Sequence, residues 1–262
     1  MEKPGAGDAR LKTELDRWYR KICTPDFIAQ DPVQFPRSFT KREDIEIAAF
    51  LSAAIAWGRR DLIIRSAQRM FALMEGGPSA FVMTGNYRKL KEREPAPRRH
   101  ASKVPLCNIH RTFFEDDLKY FCRGFKYCFE KYGSLENLFA AAPSTWEGIA
   151  LFREEMAKAN KGCYSKHIAD PGKDEAGSAC KKINLALRWL VREGPVDLKL
   201  WKSIKPSSLF IPLDVHVART ARRLGLLERK SNDKKAVIAL TESLRKFCPE
   251  DPVKYDFALF GM

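Results

Sequence analysis

Apolar side chains recur every three or four residues through most of this chain, and strict alternation is scarce, so helices are the predicted element almost throughout. Over residues 41–74 the apolar positions Ile47, Phe50, Leu51, Ala54 and Ile55, then Leu62, Ile63, Ala67, Met70 and Phe71, predict two helices parted at Gly58. The Gly-Gly-Pro at 76–78 closes that segment, and 85–111, with Pro95, Pro97 and Pro105, is predicted to be an exposed loop. Helical spacing returns over 113–133 with an aromatic core face. A short helix capped by Ser134 (134–139), a helix over 144–160 and a polar connection at 161–177 follow. An amphipathic helix over 178–192 turns Ile183, Leu187 and Leu190 inward, and a short helix is expected near 197–204. "IPLDVHVARTARRLGLL" (211–227) opens as a buried strand would and continues as a basic helix, and two helices, 233–247 and 252–261, end the chain. Without internal repeats or a clean linker, residues 1–262 are expected to form a single all-α globular unit. Its two interlocked helical lobes, with a cleft between them, would share the N- and C-terminal helices.

Composition narrows the setting. The 262 residues, 45% of them hydrophobic, suffice for one or two cores. No apolar run of about 18 residues occurs and the N-terminus is polar, so no membrane partner is expected and a cytoplasmic location is. The cysteines, Cys23, Cys107, Cys122, Cys128, Cys163, Cys180 and Cys248, are odd in number and lack Cys-x-x-Cys spacing, while His100, His110, His167 and His216 show no ligand spacing. Neither a metal nor another cofactor is therefore expected. The net charge of +14 points to a polyanion, most often nucleic acid. Its clustering sharpens this: residues 85–111 hold eight Lys and Arg against two Glu, and 215–235 hold seven against two acids.

Asp214 stands between the apolar run and the basic helix, where an aspartate commonly caps, contributing about 1 kcal/mol. Lys181 stands near the start of its helix, with Ser178 as expected N-cap. An ammonium is disfavoured there by about 0.3–1 kcal/mol, which suits an amine nucleophile. Taken singly, a cap and a surface lysine beside Lys182 account for both residues.

Taken together, they resemble a known pattern. "GSACKKIN" (177–184) has the Gly-x-x-x-Lys-x-x-Asn spacing of the helix-hairpin-helix motif in endonuclease III-type DNA glycosylases, and "IPLDVHVARTARRLGLL" resembles the same superfamily's aspartate-bearing motif, in the same order. "AAFLSAAIAWGRRDLIIRSAQRMF" (48–71) and "PEDPVKYDFALFG" (249–261) are similar to its early helix pair and terminal helix. The whole chain is also similar to a conserved, uncharacterised bacterial protein family, marked by "CKKINLALRWLVR" and "PEDPVKYDFALFG". Three departures stand out. "ADPGKDEAGSA" replaces the usual Leu-Pro-Gly-Val-Gly hairpin, Lys181 and Asp214 lie 33 residues apart, and the iron–sulfur cysteines are lacking. The archaeal 8-oxoguanine glycosylase branch is therefore the nearer likeness.

The resemblance implies a base-excision repair glycosylase and abasic-site lyase, in which Lys181 attacks the sugar C1′ to form a Schiff base and Asp214 stabilises developing positive charge. It implies DNA contacts from the backbone of Gly177, Ser178 and Ala179 and from Lys182, Arg188, His216, Arg219, Arg222 and Arg223. Trp57 and Trp189 are base-pocket candidates. The expected partner is double-stranded DNA with a damaged base or abasic site, bound by a monomer at the nucleoid. Two rivals keep the basic surface without this chemistry: a non-catalytic DNA- or RNA-binding protein of the same fold, and a helical enzyme acting on a small phosphorylated metabolite.

Overall fold

The computed structural model describes residues 6–91, 108–173 and 177–262. Along the chain run α1 (Ala6–Ile22), α2 (Pro25–Ile28), α3 (Gln34–Arg37), α4 (Arg42–Ala54), α5 (Arg60–Ala72) and α6 (Pro78–Met83). After a two-stranded antiparallel sheet, β1 (Asn108–His110) with β2 (Phe113–Phe114), come α7 (Glu115–Tyr132), α8 (Leu135–Ala140) and α9 (Thr145–Lys158). The last helices are α10 (Lys181–Val191), α11 (Val215–Arg223), α12 (Lys234–Arg245) and α13 (Asp256–Gly261). The described chain is mostly helical, and none of its helices is long and apolar enough to cross a membrane.

Two compact units divide the chain, and neither is continuous in sequence. One comprises residues 1–29, 144–146 and 169–262; the other comprises 30–143 and 147–168. In the second, the Phe50 ring of α4 packs with its centre 4.9–6.4 Å from those of Phe125, Phe139 and Phe152, which fills the core the aromatic spacing predicts. Gly58, at φ +100°, parts α4 from α5, and Ser134 caps α8 by accepting from the Asn137 N–H at 3.0 Å. The Gly-Gly-Pro stretch lies beyond the end of α5 at Ala72, and its Pro78 opens α6. Much of the basic loop expected at 85–111, residues 92–107 with Pro95, Pro97 and Pro105, lies outside the described residues. On either side of them stand a 3₁₀ turn (Asn86–Lys89) and β1.

The first unit is built on α10. Its apolar face carries Ile183, Leu187 and Leu190 inward, and Trp189 and Trp201 are fully enclosed. The expected N-terminal helix, for which the sequence reading gave no bounds, is α1, and it packs on α13. Its signal was Leu11, Leu15, Trp18 and Ile22 at three- and four-residue spacing, with Leu15 fully buried. The short helix expected at 197–204 is absent. The N–H groups of Leu198, Lys199 and Trp201 instead donate to the carbonyls of Trp189, Arg192 and Leu190 at 2.8–2.9 Å, so this segment satisfies the open end of α10. Residues 211–214 form no strand: Ile211 and Leu213 are buried, and the Ile211 N–H donates to Thr241 Oγ1 at 3.2 Å.

Candidate functional site

The approach to α10 is tightly determined. Gly177 lies so close to the Pro171 carbonyl that a Cβ there would overlap it. The Ser178 N–H donates to the Asp170 carbonyl at 2.8 Å, and Lys234 N–H donates to the Gly177 carbonyl at 3.1 Å. Cys180 then turns the chain in the left-handed region, φ +46° and ψ +36°, and the helix begins at Lys181. The N-cap position therefore belongs to Cys180 and not to Ser178, which places Lys181 in the first helical position.

Asp214 caps α11 as expected. Its Oδ1 accepts from the N–H groups of His216 and Val217, both at 2.9 Å. With that oxygen committed, the other, Oδ2, lies 3.6 Å from Lys181 Nζ, an ion-pair distance longer than a direct hydrogen bond. Two helix N-termini from distant parts of the sequence thus meet at one amine and one carboxylate. The side chains are 29% and 27% exposed, open enough for a reactant yet held by their helices. The carboxylate's charge is met by α11 backbone dipoles on one side and the ammonium on the other.

Of the residues expected to meet DNA, some lie open on this unit and others are used internally. His216, Arg219 and Arg223 are exposed on α11, with Arg219 in contact with His216 Nδ1 at 3.3 Å. Lys182 is half-buried beside Lys181, and Ala179 is buried. Arg222 donates to the carbonyls of Arg229 and Lys230, both at 2.8 Å, and to Asn232 Oδ1 at 2.6 Å, so its guanidinium ties down the loop after α11. The Ser178 N–H is committed to Asp170. Arg188 is 3% exposed and ion-paired with Asp256 and Asp197, which removes it from any phosphate. Trp189 is wholly buried and offers no face to a base. Trp57 belongs to the other unit, where its ring stands 5.7 Å from His167 in a stacked arrangement and 4.9 Å from His110 edge-on.

Sequence inspection missed Asp256 and Asp197, the buried acids on the same arginine. Arg188 and Asp256 are 68 positions apart, and nothing local in "KYDFALFG" distinguishes this aspartate from a solvated one. Among the described residues no group of three or more His, Cys, Asp and Glu side chains is arranged to hold a metal ion.

A family model described as "Protein of unknown function (DUF2400)" matches residues 31–262, and the chain belongs to that family. No curated protein and no solved structure gives a significant match.

Proposed function

We propose that this protein is a DNA base-excision glycosylase with abasic-site lyase activity, of helix-hairpin-helix glycosylase-like fold, acting as a monomer on damaged duplex DNA at the nucleoid. One observation carries the reading: Lys181 Nζ and Asp214 Oδ2 stand 3.6 Å apart, half-exposed, at the meeting of two helix N-termini. A primary amine beside a carboxylate is the minimum equipment for covalent chemistry at an acetal carbon.

In the proposed reaction the target nucleotide leaves the base stack, which brings its C1′ within reach. The free amine of Lys181 forms the N–C1′ bond as the glycosidic C1′–N bond breaks, and the base departs with that electron pair and takes up a proton. Asp214 opposes the positive charge that gathers on the sugar in the transition state. Ring opening gives the Schiff base, and loss of a C2′ proton expels the 3′ phosphate and cleaves the strand. His216, Arg219 and Arg223 stand on the same helix as Asp214 and suit phosphate contact.

The test is incubation with duplexes carrying damaged bases or an abasic site, followed by borohydride. The expected result is a covalent adduct in the wild type and none in Lys181→Ala. Asp214→Asn keeps DNA affinity and loses turnover by at least about tenfold, a barrier increase of about 1.4 kcal/mol. Binding without any adduct would replace this reading with the non-catalytic one.

A further inference from the structure

The turn that delivers Lys181 into α10 is held from inside the helix. Cys180 adopts φ +46° and ψ +36°, left-handed backbone that glycine takes up freely and that a residue with a side chain keeps only where its surroundings enforce it. Asn184, one helical turn beyond Lys181, grips both sides of that residue. Its Nδ2 donates to the Ala179 carbonyl at 3.1 Å, and its backbone N–H donates to the Cys180 carbonyl at 3.0 Å. The same side chain is 1% exposed, and its Oδ1 is enclosed with no hydrogen-bond partner among the described residues.

An enclosed acceptor without a partner lowers stability, and an apolar side chain of the same shape brings no such loss. The amide at this position is therefore explained by its donor, and the donor's target is the carbonyl that precedes Cys180. The rest of the turn is tied down from outside the helix. The Cys180 N–H donates to Ser178 Oγ at 3.3 Å, the Ser178 N–H to the Asp170 carbonyl at 2.8 Å, and the Lys234 N–H to the Gly177 carbonyl at 3.1 Å. Against these fixed residues, rotating φ at Cys180 by about 110° into the right-handed helical region would displace the first turn of α10. Lys181 opens that turn, and its Nζ stands 3.6 Å from Asp214 Oδ2.

We propose that Asn184 is a positioning residue for Lys181: by holding the Ala179 carbonyl it keeps the left-handed turn at Cys180, and with it the placement of the amine beside Asp214. The proposal rests on Lys181 being the nucleophile of the reaction above. Asn184 itself touches no reacting atom. Its effect belongs to the rate of attack and not to the affinity for DNA, because a small misplacement of a reacting group slows a reaction without weakening the binding of its substrate.

The test uses Asn184→Leu, which removes the donor and the unmet acceptor together at nearly constant size, alone and combined with Cys180→Gly. Without DNA, the Cα and Cβ NMR shifts of Cys180 report its backbone torsions, and urea denaturation reports stability. With an abasic-site duplex and borohydride, the single-turnover trapping rate and the duplex Kd are read separately. In Asn184→Leu the Cys180 shifts are expected to leave the left-handed range and the trapping rate to fall about tenfold or more, while Kd and the urea midpoint stay near wild type. Adding Cys180→Gly brings the rate back to within about threefold of wild type, since glycine holds left-handed backbone without the clamp. Unchanged shifts and rate in Asn184→Leu overturn the proposal. So does a rate that falls together with affinity and stability and is not restored by Cys180→Gly, the mark of a packing role. Asn184→Ala carries the same expectations should Asn184→Leu not fold, and failure of both to fold also means packing and overturns the proposal. A wild type that never traps DNA sinks the glycosylase reading, and the Cys180 shifts still decide whether Asn184 holds the turn. Undiminished trapping by a folded Asn184→Leu variant sinks only this proposal.

Discussion

At the scale of single residues, Asp214 does two things with two oxygens, and substitutions separate them. Oδ1 accepts from two helix N–H groups, and Oδ2 faces Lys181. Asparagine preserves the accepting oxygen, so Asp214→Asn should unfold within a few tenths of a kcal/mol of wild type, whereas Asp214→Ala should lose about 1 kcal/mol in urea denaturation. Equal losses in the two variants would mean that the cap contributes nothing. Gly177→Ala is expected to cost about 2 kcal/mol or more, because its Cβ would overlap the Pro171 carbonyl. Lys181 and Asp214 were legible in the sequence because each opens a helix and helix openings have local signatures. Asp256 was not, because its meaning comes from Arg188 and burial.

At the scale of elements, α10 is the scaffold, and its polar residues form a ladder. Lys181, Arg188 and Arg192 follow one another down the helix, answered by Asp214, by Asp256 and Asp197, and by Asp197 and Asp251. Arg192→Ala would leave the buried Asp197 with Arg188 alone, and about 1–3 kcal/mol of stability should be lost in equilibrium unfolding. From the sequence, the inward apolar face of α10 was plain, while Arg188 read as a surface cation because arginine in an amphipathic helix is usually solvated. Nothing local announces a buried partner.

Helix α1 carries a pH dependence of its own. Burial works against ionisation of Asp16, but bonds from Lys12, Lys254 and Tyr255 prevail and hold its carboxyl down at about 2. The sign follows from that depression: the contribution is complete above the ordinary carboxylate range near 4 and is lost as pH falls toward 2. Asp16→Asn should therefore destabilise at neutral pH, and its deficit should shrink as pH falls from about 4 through about 2, as thermal melts would show.

At the scale of the whole molecule, helical content was legible because the three- and four-residue spacing persists along the chain. Which stretches make up each of the two units was not. One unit gathers residues 1–29, 144–146 and 169–262 around the other's sequence, and periodicity carries no information about which distant segments join. The net charge of +14 sets the expected physical signature of the partner. If three or four cations neutralise phosphates, log K for duplex DNA should fall against log salt with a slope of about −3 to −4. A slope near zero would favour the small phosphorylated metabolite.

The most direct measurement is the site of covalent attachment: trap the protein on an abasic-site duplex with borohydride, digest the adduct, and sequence the modified peptide by mass spectrometry. A reduced sugar remnant on Lys181 is the expected product. A remnant on Lys182 or the terminal amine, or an unmodified protein with DNA still bound, would contradict it.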